Sequence, residues 1–335
     1  MIKKKHHFTN MDKENLFAVL QSFPDQIISA YNLGKDLRFN AFDTVVFSGM
    51  GGSAIGGMLL QNFLEKTGFK IPFYVVRDYS IPNFVNHKTL FIACSYSGNT
   101  EETINCYEEA KKKRAQILSM SSGGRLKEMS ESDKFLFIQL PLGIQPRNAV
   151  AYAFFPLLHA FENMGLTKEN YDIDKLALKL NNSKLFESAK KLAYKIKGKT
   201  PIIYGSPMLS VVAYRWKTQF NENAKTLSYW HEFPELNHNE LNAFYNVKGK
   251  FHMIILKSNF ENKRVLKRIK LTREIISRKV FVTELNVTGK NLLEQVFTSL
   301  YIGDLTSFYL AMLYKTDPTP VPVIEEFKKK MGKFY

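Results

Sequence analysis

A chain of 335 residues is too long for one small core and points to about two domains, and its 45% apolar and 23% charged residues supply material for a large globular core. The formal charge of +16 admits nucleic acid, an acidic membrane surface or an anionic small molecule as partner. The basic residues, however, are dispersed in short clusters (Lys3 to Lys5, Lys111 to Arg114, Lys328 to Lys330) without zinc-finger spacing or an RNA-recognition signature, so the charge supports attraction of small anions at least as well as nucleic-acid binding, and solvated surface accounts for part of it; no nucleic-acid partner is expected.

Only two cysteines occur, Cys94 and Cys106, which argues against a disulfide framework or a cysteine metal site and fits a reducing cytoplasm. The basic start, Met1 to His7, is not followed by the apolar run of a signal peptide. The apolar stretch from Ala149 is interrupted by Pro156 and His159, so no membrane span is expected.

In chain order, residues 11–34 read as two helices, the first with an apolar face of Leu16, Val19, Leu20 and Phe23 that stops near Pro24. Five strands are expected at Thr44–Phe47, Phe73–Val76, Leu90–Cys94, Gln116–Met120 and Lys134–Leu140, alternating with helices. Continuous apolar strands separated by helices indicate a parallel sheet covered on both faces, with its ligand site beyond the carboxyl ends of the strands. The segment Gln145 to Val150 opens an apolar helix towards Met164, and residues 165–198 read as a charged, partly helical crossing between domains. A second strand series follows at Pro201–Gly205, Thr226–Trp230, Phe251–Leu256 and Val280–Asn286. Pro201 to Ser206 resembles Val45 to Gly49 in form without the glycine cluster, so an internal duplication is expected in which only the first copy keeps full anion loops. Residues 288–314 read as a helix, and the Pro-rich 317–322 turns the chain into a short terminal helix.

Two stretches carry chemistry. Ser95-Tyr96-Ser97-Gly98-Asn99-Thr100-Glu101-Glu102-Thr103 joins the strand ending at Cys94 to a helix whose Thr103, Cys106, Tyr107 and Ala110 share a face. Such a loop gathers helix-start N–H groups, a glycine and several hydroxyls, which suits an anion. Its plainer reading is a capped helix start, with Asn99 as N-cap and Glu102 closing a capping box. Upstream, Ser48-Gly49-Met50-Gly51-Gly52-Ser53-Ala54-Ile55-Gly56-Gly57 repeats the same chemistry, and the pair is harder to explain by capping alone. There is no P-loop lysine, and the glycine spacing is not the dinucleotide fingerprint, so a nucleotide cofactor is disfavoured. No cofactor and no metal are expected.

Together these motifs resemble the sugar isomerase (SIS) domain and, within it, the bifunctional phosphoglucose/phosphomannose isomerase family. The resemblance implies two SIS-type doubly wound α/β subdomains with parallel sheets, flanked by helical segments: a lead-in at 1–40, a first SIS domain at 41–164, the crossing at 165–198 and a second SIS domain at 199–335. It implies interconversion of glucose 6-phosphate and fructose 6-phosphate, with mannose 6-phosphate as a further substrate, through a cis-enediol. It places the phosphate at Ser53, Ser95, Ser97 and Thr100, with Gly52.

In the family the base is a glutamate in an Asn-Glu-Asn type segment, here Asn221-Glu222-Asn223. His238, in Asn237-His238-Asn239-Glu240, matches the ring-opening histidine, which in relatives reaches the site from the neighbouring subunit of a homodimer; His231 has no such match and reads as structural. Arg147, in Pro146-Arg147-Asn148, matches the arginine facing the enediolate. An arginine at a helix start is also electrostatically unfavourable unless an anion compensates it. Lys328 shares a helix face with Ile324, Phe327 and Met331, and a lysine in an apolar stripe must snorkel or meet an anion; the family has an active-site lysine near its C-terminus. Two alternatives remain: a non-catalytic SIS sugar-phosphate regulator, which needs no base, and an isomerase of another phosphosugar.

Overall fold

The computed structural model describes residues 10–332, so Lys3 to Lys5, His6 and His7 lie outside the described residues. Two compact units divide the described residues, an amino-terminal one of Ser22–Ala177 and a carboxy-terminal one of residues 178–332 together with residues 10–21. The first two helices, α1 (Leu16–Gln21) and α2 (Phe23–Asn32), are therefore parts of different units and not one lead-in. Pro24 sits in the first turn of α2, where its missing N–H costs nothing, so it opens the second helix as well as ending the first.

The amino-terminal unit continues through β1 (Thr44–Ser48), α3 (Gly51–Thr67), β2 (Phe73–Val76), β3 (Thr89–Cys94), α4 (Glu101–Lys112), β4 (Gln116–Ser121), α5 (Gly124–Ser132), β5 (Leu136–Gln139) and α6 (Val150–Asn163). The five strands form one parallel sheet in the order β2-β1-β3-β4-β5. Val45, Val46 and Phe47 are all fully buried because both faces are covered, which is why their run is continuously apolar. Val46, Phe91, Ala93 and Ile117 pack on Cys106, Tyr107 and Ala110 of α4 and Leu126 of α5. Phe47 points to the other face, against Gly57 of α3, which packs on α6.

The remainder consists of α7 (Ile173–Leu180), α8 (Ser183–Ile196), β6 (Thr200–Gly205), α9 (Ser210–Glu222), β7 (Tyr229–Glu232), β8 (Phe251–Lys257), α10 (Lys263–Ile276), β9 (Phe281–Asn286), α11 (Leu292–Leu313) and α12 (Pro322–Met331). Its parallel sheet runs β7-β6-β8-β9, the order of β2-β1-β3-β4 over again. The expected crossing at 165–198 is not a connector throughout, since α8 buries Ala189, Leu192, Ala193 and Ile196 and packs along α11 as part of this unit's core. The strand expected at Thr226–Trp230 starts only at Tyr229. Thr226 and Ser228 are instead consumed in closing α9: Asn221 Nδ2 donates to Thr226 O at 2.8 Å and to Ser228 Oγ at 3.1 Å.

Helix α11 is long and apolar enough to cross a bilayer by length and composition. Its surroundings make it a core helix, because nearly its whole length is buried among protein, polar Gln295, Asp304 and Ser307 included.

One buried group gives the carboxy-terminal unit a pH-dependent stability. His252 of β8 is 3% exposed, with Nε2 2.9 Å from the Thr283 hydroxyl, and burial, aided by the Lys199 charge, pushes its pKa down to about 4. The unfolded chain takes up this proton below its ordinary 6.5, the folded chain only below about 4. Stability is therefore complete above pH 6.5 and is lost as the pH falls towards 4, by roughly 3 kcal/mol. Urea midpoints measured between pH 6.5 and 4.5 should fall, and His252→Gln should flatten that slope; equal slopes in the two proteins would remove His252 as its origin.

Candidate active site

In the amino-terminal unit the chain leaves β1 for β2 on one side and returns to β3 on the other, so the sheet has its topological switch point between β1 and β3. A crevice opens beyond the carboxyl ends of such a strand pair, and the loops bordering it are residues 49–53 and 95–100, the two motifs picked out above. Two helices of 17 and 12 residues start there, α3 and α4. Neither N-cap side chain, Met50 or Thr100, bonds its helix's first turn, so capping does not consume the donors that an anion would use.

The hydroxyls order both loops. Ser53 Oγ accepts from Tyr96 N at 3.3 Å and so ties the first loop to the second. Ser95 Oγ lies 2.8 Å from Thr100 Oγ1 and accepts from Gly98 N at 3.1 Å. Ser97 is exposed at the tip, its Oγ accepting from Asn99 N at 3.3 Å. Asn99 is not the N-cap of α4, and the capping box with Glu102 is not the arrangement found. The helix starts one residue later, and Asn99 Oδ1 instead accepts from Arg125 N at 3.0 Å, capping α5 from outside. Removing Asn99 from that duty leaves the start of α4 open.

Arg147 belongs to the same end of this sheet. It sits on a 3-10 turn, Pro146–Asn148, just ahead of α6 and not in the helix itself, and it is 4% exposed. Gly52 explains the closeness of that turn: a Cβ on it would lie 2.5 Å from Pro146 O and 2.7 Å from Arg147 Cα. A residue that the motif reading did not single out completes the tie. The Tyr96 hydroxyl donates to Pro141 O at 2.7 Å and accepts from Ile144 N at 2.9 Å, fixing the second loop to the segment that leads into Arg147. Burial raises the Tyr96 pKa, which keeps that hydroxyl protonated as a donor. Gly52, Ser53, Ser95, Ser97, Thr100 and Arg147 thus gather around one crevice.

Glu222, the last residue of α9, lies in the other unit. It lines an open groove of about 620 Å³ with Lys217, Asn221, Lys225, Tyr229 and the start of α12, including Ile324. The exit from α9 is braced by Lys225 Nζ, which donates to Glu222 O at 2.6 Å and Pro318 O at 3.1 Å. Neither His238 nor Lys328 is among the described residues lining this groove. His238 is exposed at the end of a short 3-10 turn, Glu235–His238, followed by another whose first N–H is capped by Asn239. His231 is in β7 with Nδ1 accepting from Glu232 N at 2.8 Å, a backbone role.

Lys328 lies on an exposed helix: no described residue of α12 is buried, and Phe327 and Met331 are 62% and 56% exposed. The helix is amphipathic: Ile324 lines the groove beside Glu222, whereas Phe327 and Met331 further along the same face stay exposed. Among the described residues no group of three or more His, Cys, Asp or Glu could hold a metal ion.

The crevice of the carboxy-terminal unit has taken another course. There Ser206 Oγ accepts from Ser258 N at 3.4 Å, echoing the bond between Ser53 and Tyr96, but Met208 N, in the 3-10 turn Pro207–Leu209 that leads into α9, donates to the Glu261 carboxylate at 2.8 Å. An internal carboxylate thus takes up a donor on the approach to α9.

Residues 186–331 match the family model of the bacterial phospho-glucose isomerase C-terminal SIS domain. The chain is 42% identical over 338 residues to the bifunctional phosphoglucose/phosphomannose isomerase of Caldicellulosiruptor bescii, covering 95% of this chain and 99% of that one. It is 38% identical over 303 residues to the protein of the same name from Thermoplasma volcanium, covering 89% and 94%. The fold is shared with the crystal structure of glucosamine-6-phosphate deaminase from Thermotoga maritima, at a TM-score of 0.71 and 17% identity over 91% of this chain and 97% of that one.

Gly52→Ala should raise the KM for a sugar phosphate by about 10-fold, since its Cβ forces the Arg147 turn away from α3, while costing about 1–3 kcal/mol of stability. Steady-state kinetics alongside thermal melts check this, and an unchanged KM in the folded variant would separate Gly52 from ligand binding.

Proposed function

The chain belongs to the bifunctional phosphoglucose/phosphomannose isomerase family, and we propose how its residues divide the work of that reaction. It is an aldose–ketose isomerase interconverting glucose 6-phosphate and fructose 6-phosphate, with mannose 6-phosphate as a further substrate. The observation that carries the residue assignment is the crevice between β1 and β3, where two helix starts and four hydroxyl residues converge beside a buried arginine.

The phosphate dianion is held by the first turns of α3 and α4 with Ser53, Ser95, Ser97 and Thr100, while Gly52 lets the backbone come close. Glu222 removes the C2 proton of the open-chain aldose and returns it to C1, the carbonyl oxygen becoming an enediolate on the way. Arg147 steadies that negative charge. His238, with Lys328, moves the proton between the ring oxygen and the C1 hydroxyl when the ring opens. Glucose and mannose 6-phosphate differ only at C2, and C2 becomes planar in the enediol, so one intermediate serves both; the face on which C2 regains its proton decides the epimer. No step requires an external electron acceptor, because the oxidation of C2 and the reduction of C1 balance within one molecule.

The active form in this reading is a cytoplasmic homodimer in which His238 serves the partner's site. The exposed apolar stripe of α12, Ile324, Phe327 and Met331, supports it, being of the kind that a second subunit covers.

Glu222→Gln should lower kcat by about 10³-fold or more while phosphosugar binding persists, as read by a coupled assay and calorimetry. Binding without turnover in the unsubstituted protein would instead establish a sugar-phosphate sensor, and turnover of a different phosphosugar with silence on glucose 6-phosphate would redirect the substrate.

Mixing Glu222→Gln with His238→Ala protein under conditions of subunit exchange should restore part of the activity, since hybrids contain one site with both groups intact. Hybrids that form and remain inactive would place His238 and Glu222 of one chain in the same site.

A further inference from the structure

The seam between α9 and α11 is polar where a core is ordinarily apolar. Arg215 of α9 is fully buried and makes two parallel bonds to Asp304 of α11, Nε to Oδ1 at 3.0 Å and Nη2 to Oδ2 at 2.7 Å. Gln219 Nε2 donates to the same Oδ1 at 3.0 Å. A further turn along, Asn223 Nδ2 donates to Ser307 Oγ at 2.9 Å, and Ser307 Oγ donates to Asp304 O at 2.7 Å. Trp216 Nε1 donates to Ser299 O at 2.9 Å, and a Cβ on Gly303 would enter the Trp216 indole at 2.2 Å, so the two helices are in close contact.

Arg215 and Gln219 of α9 and Asn223, the residue that caps its carboxyl end, are spaced four apart and form one stripe that ends beside Glu222. An apolar seam of equal volume would hold two helices at least as well, because taking an ion pair out of water costs about what the attraction returns. What apolar contacts do not supply is a unique rotation and rise. A slip of α9 by one residue turns it by about 100° and moves it about 1.5 Å, which would carry Glu222 to another part of the surface. The forked bond to Asp304 and the pair Asn223–Ser307 admit only one register.

We propose that Arg215, Asp304, Gln219, Asn223 and Ser307 are positioning residues that fix the placement of the Glu222 carboxylate. The proposal rests on the reading of Glu222 as the proton-transfer base. Its content is that the polar seam sets the rate of proton transfer, beyond its part in holding the unit together.

Two variants test it in the full-length protein. Arg215→Met with Asp304→Leu replaces the buried pair by apolar volume, and Ser307→Ala removes the Asn223 partner with little change in packing. The paired variant should lose about 10-fold or more in kcat and Ser307→Ala about 3-fold, each with KM within about two-fold of the parent and a cooperative thermal melt. Introduced into Glu222→Gln, the same changes should lower the residual rate no further, because their effect runs through the carboxylate. A folded paired variant with parental kcat overturns the proposal, as do losses that persist undiminished in the Glu222→Gln background. Should the paired variant not fold, Ser307→Ala decides alone: parental kcat overturns the proposal. Glu222→Gln retaining full activity is a separate result, which removes the base assignment itself.

Discussion

The proposed site depends on the affinity of two uncapped helix starts for a phosphate dianion. Each start contributes roughly 0.3–1 kcal/mol towards a nearby negative charge, more when partly buried, and two of them converge only where a parallel sheet reverses its winding. The order β2-β1-β3 creates that place in the amino-terminal unit, with α3 and α4 rising from adjacent strands. The other local features shape the two loops around the helix starts. Asn99 is drawn away to α5, Ser53 and Ser95 bond backbone within and between the loops, and Gly52 removes the side chain that would hold off the turn carrying Arg147.

The carboxy-terminal unit repeats the topology and puts it to a different use. On its approach to α9, Met208 N already donates to the Glu261 carboxylate. Glu222 comes from the far end of α9, the end that leads into β7 and not the one that follows β6. Under the proposed assignment the same βαβ scaffold serves in one copy through the start of a helix and in the other through its finish. A helix start offers N–H donors and suits a phosphate, whereas a helix end offers carbonyls and a negative dipole, a setting in which a carboxylate acts as a base.

The basic charge of the whole chain fits this chemistry without any nucleic-acid interpretation, as an anionic substrate is drawn by a positive surface. Charge of this kind raises encounter rates and is screened by salt. The exposed stripe of α12 and the polar seam of α9 and α11 are the two places where hydrophobic patterning is inverted, apolar outside and polar inside. In this protein both inversions are tied by proposal to function, the first to a second subunit and the second to the placement of one side chain.

Sequence alone determined the nine strands seen among the described residues to within a few positions, the parallel winding of two sheets, and the two hydroxyl loops, because these depend on local periodicity and on glycines and hydroxyls close together in the chain. It also pointed to Arg147 and Glu222 as candidate site residues, chiefly through motif resemblance, with the charge of Arg147 at a helix start as the one local signal. The tertiary structure decided what depends on distant partners: that Asn99 caps the helix after its own, that Tyr96 ties its loop to the segment before Arg147, that α1 and α2 part company, and that α12 leaves Phe327 and Met331 exposed. Arg215 and Asp304 stand 89 positions apart, and nothing in either neighbourhood announces the other. Periodicity records which face of an element avoids water, but the partner that completes a buried charge is known only once the chain has folded back upon itself.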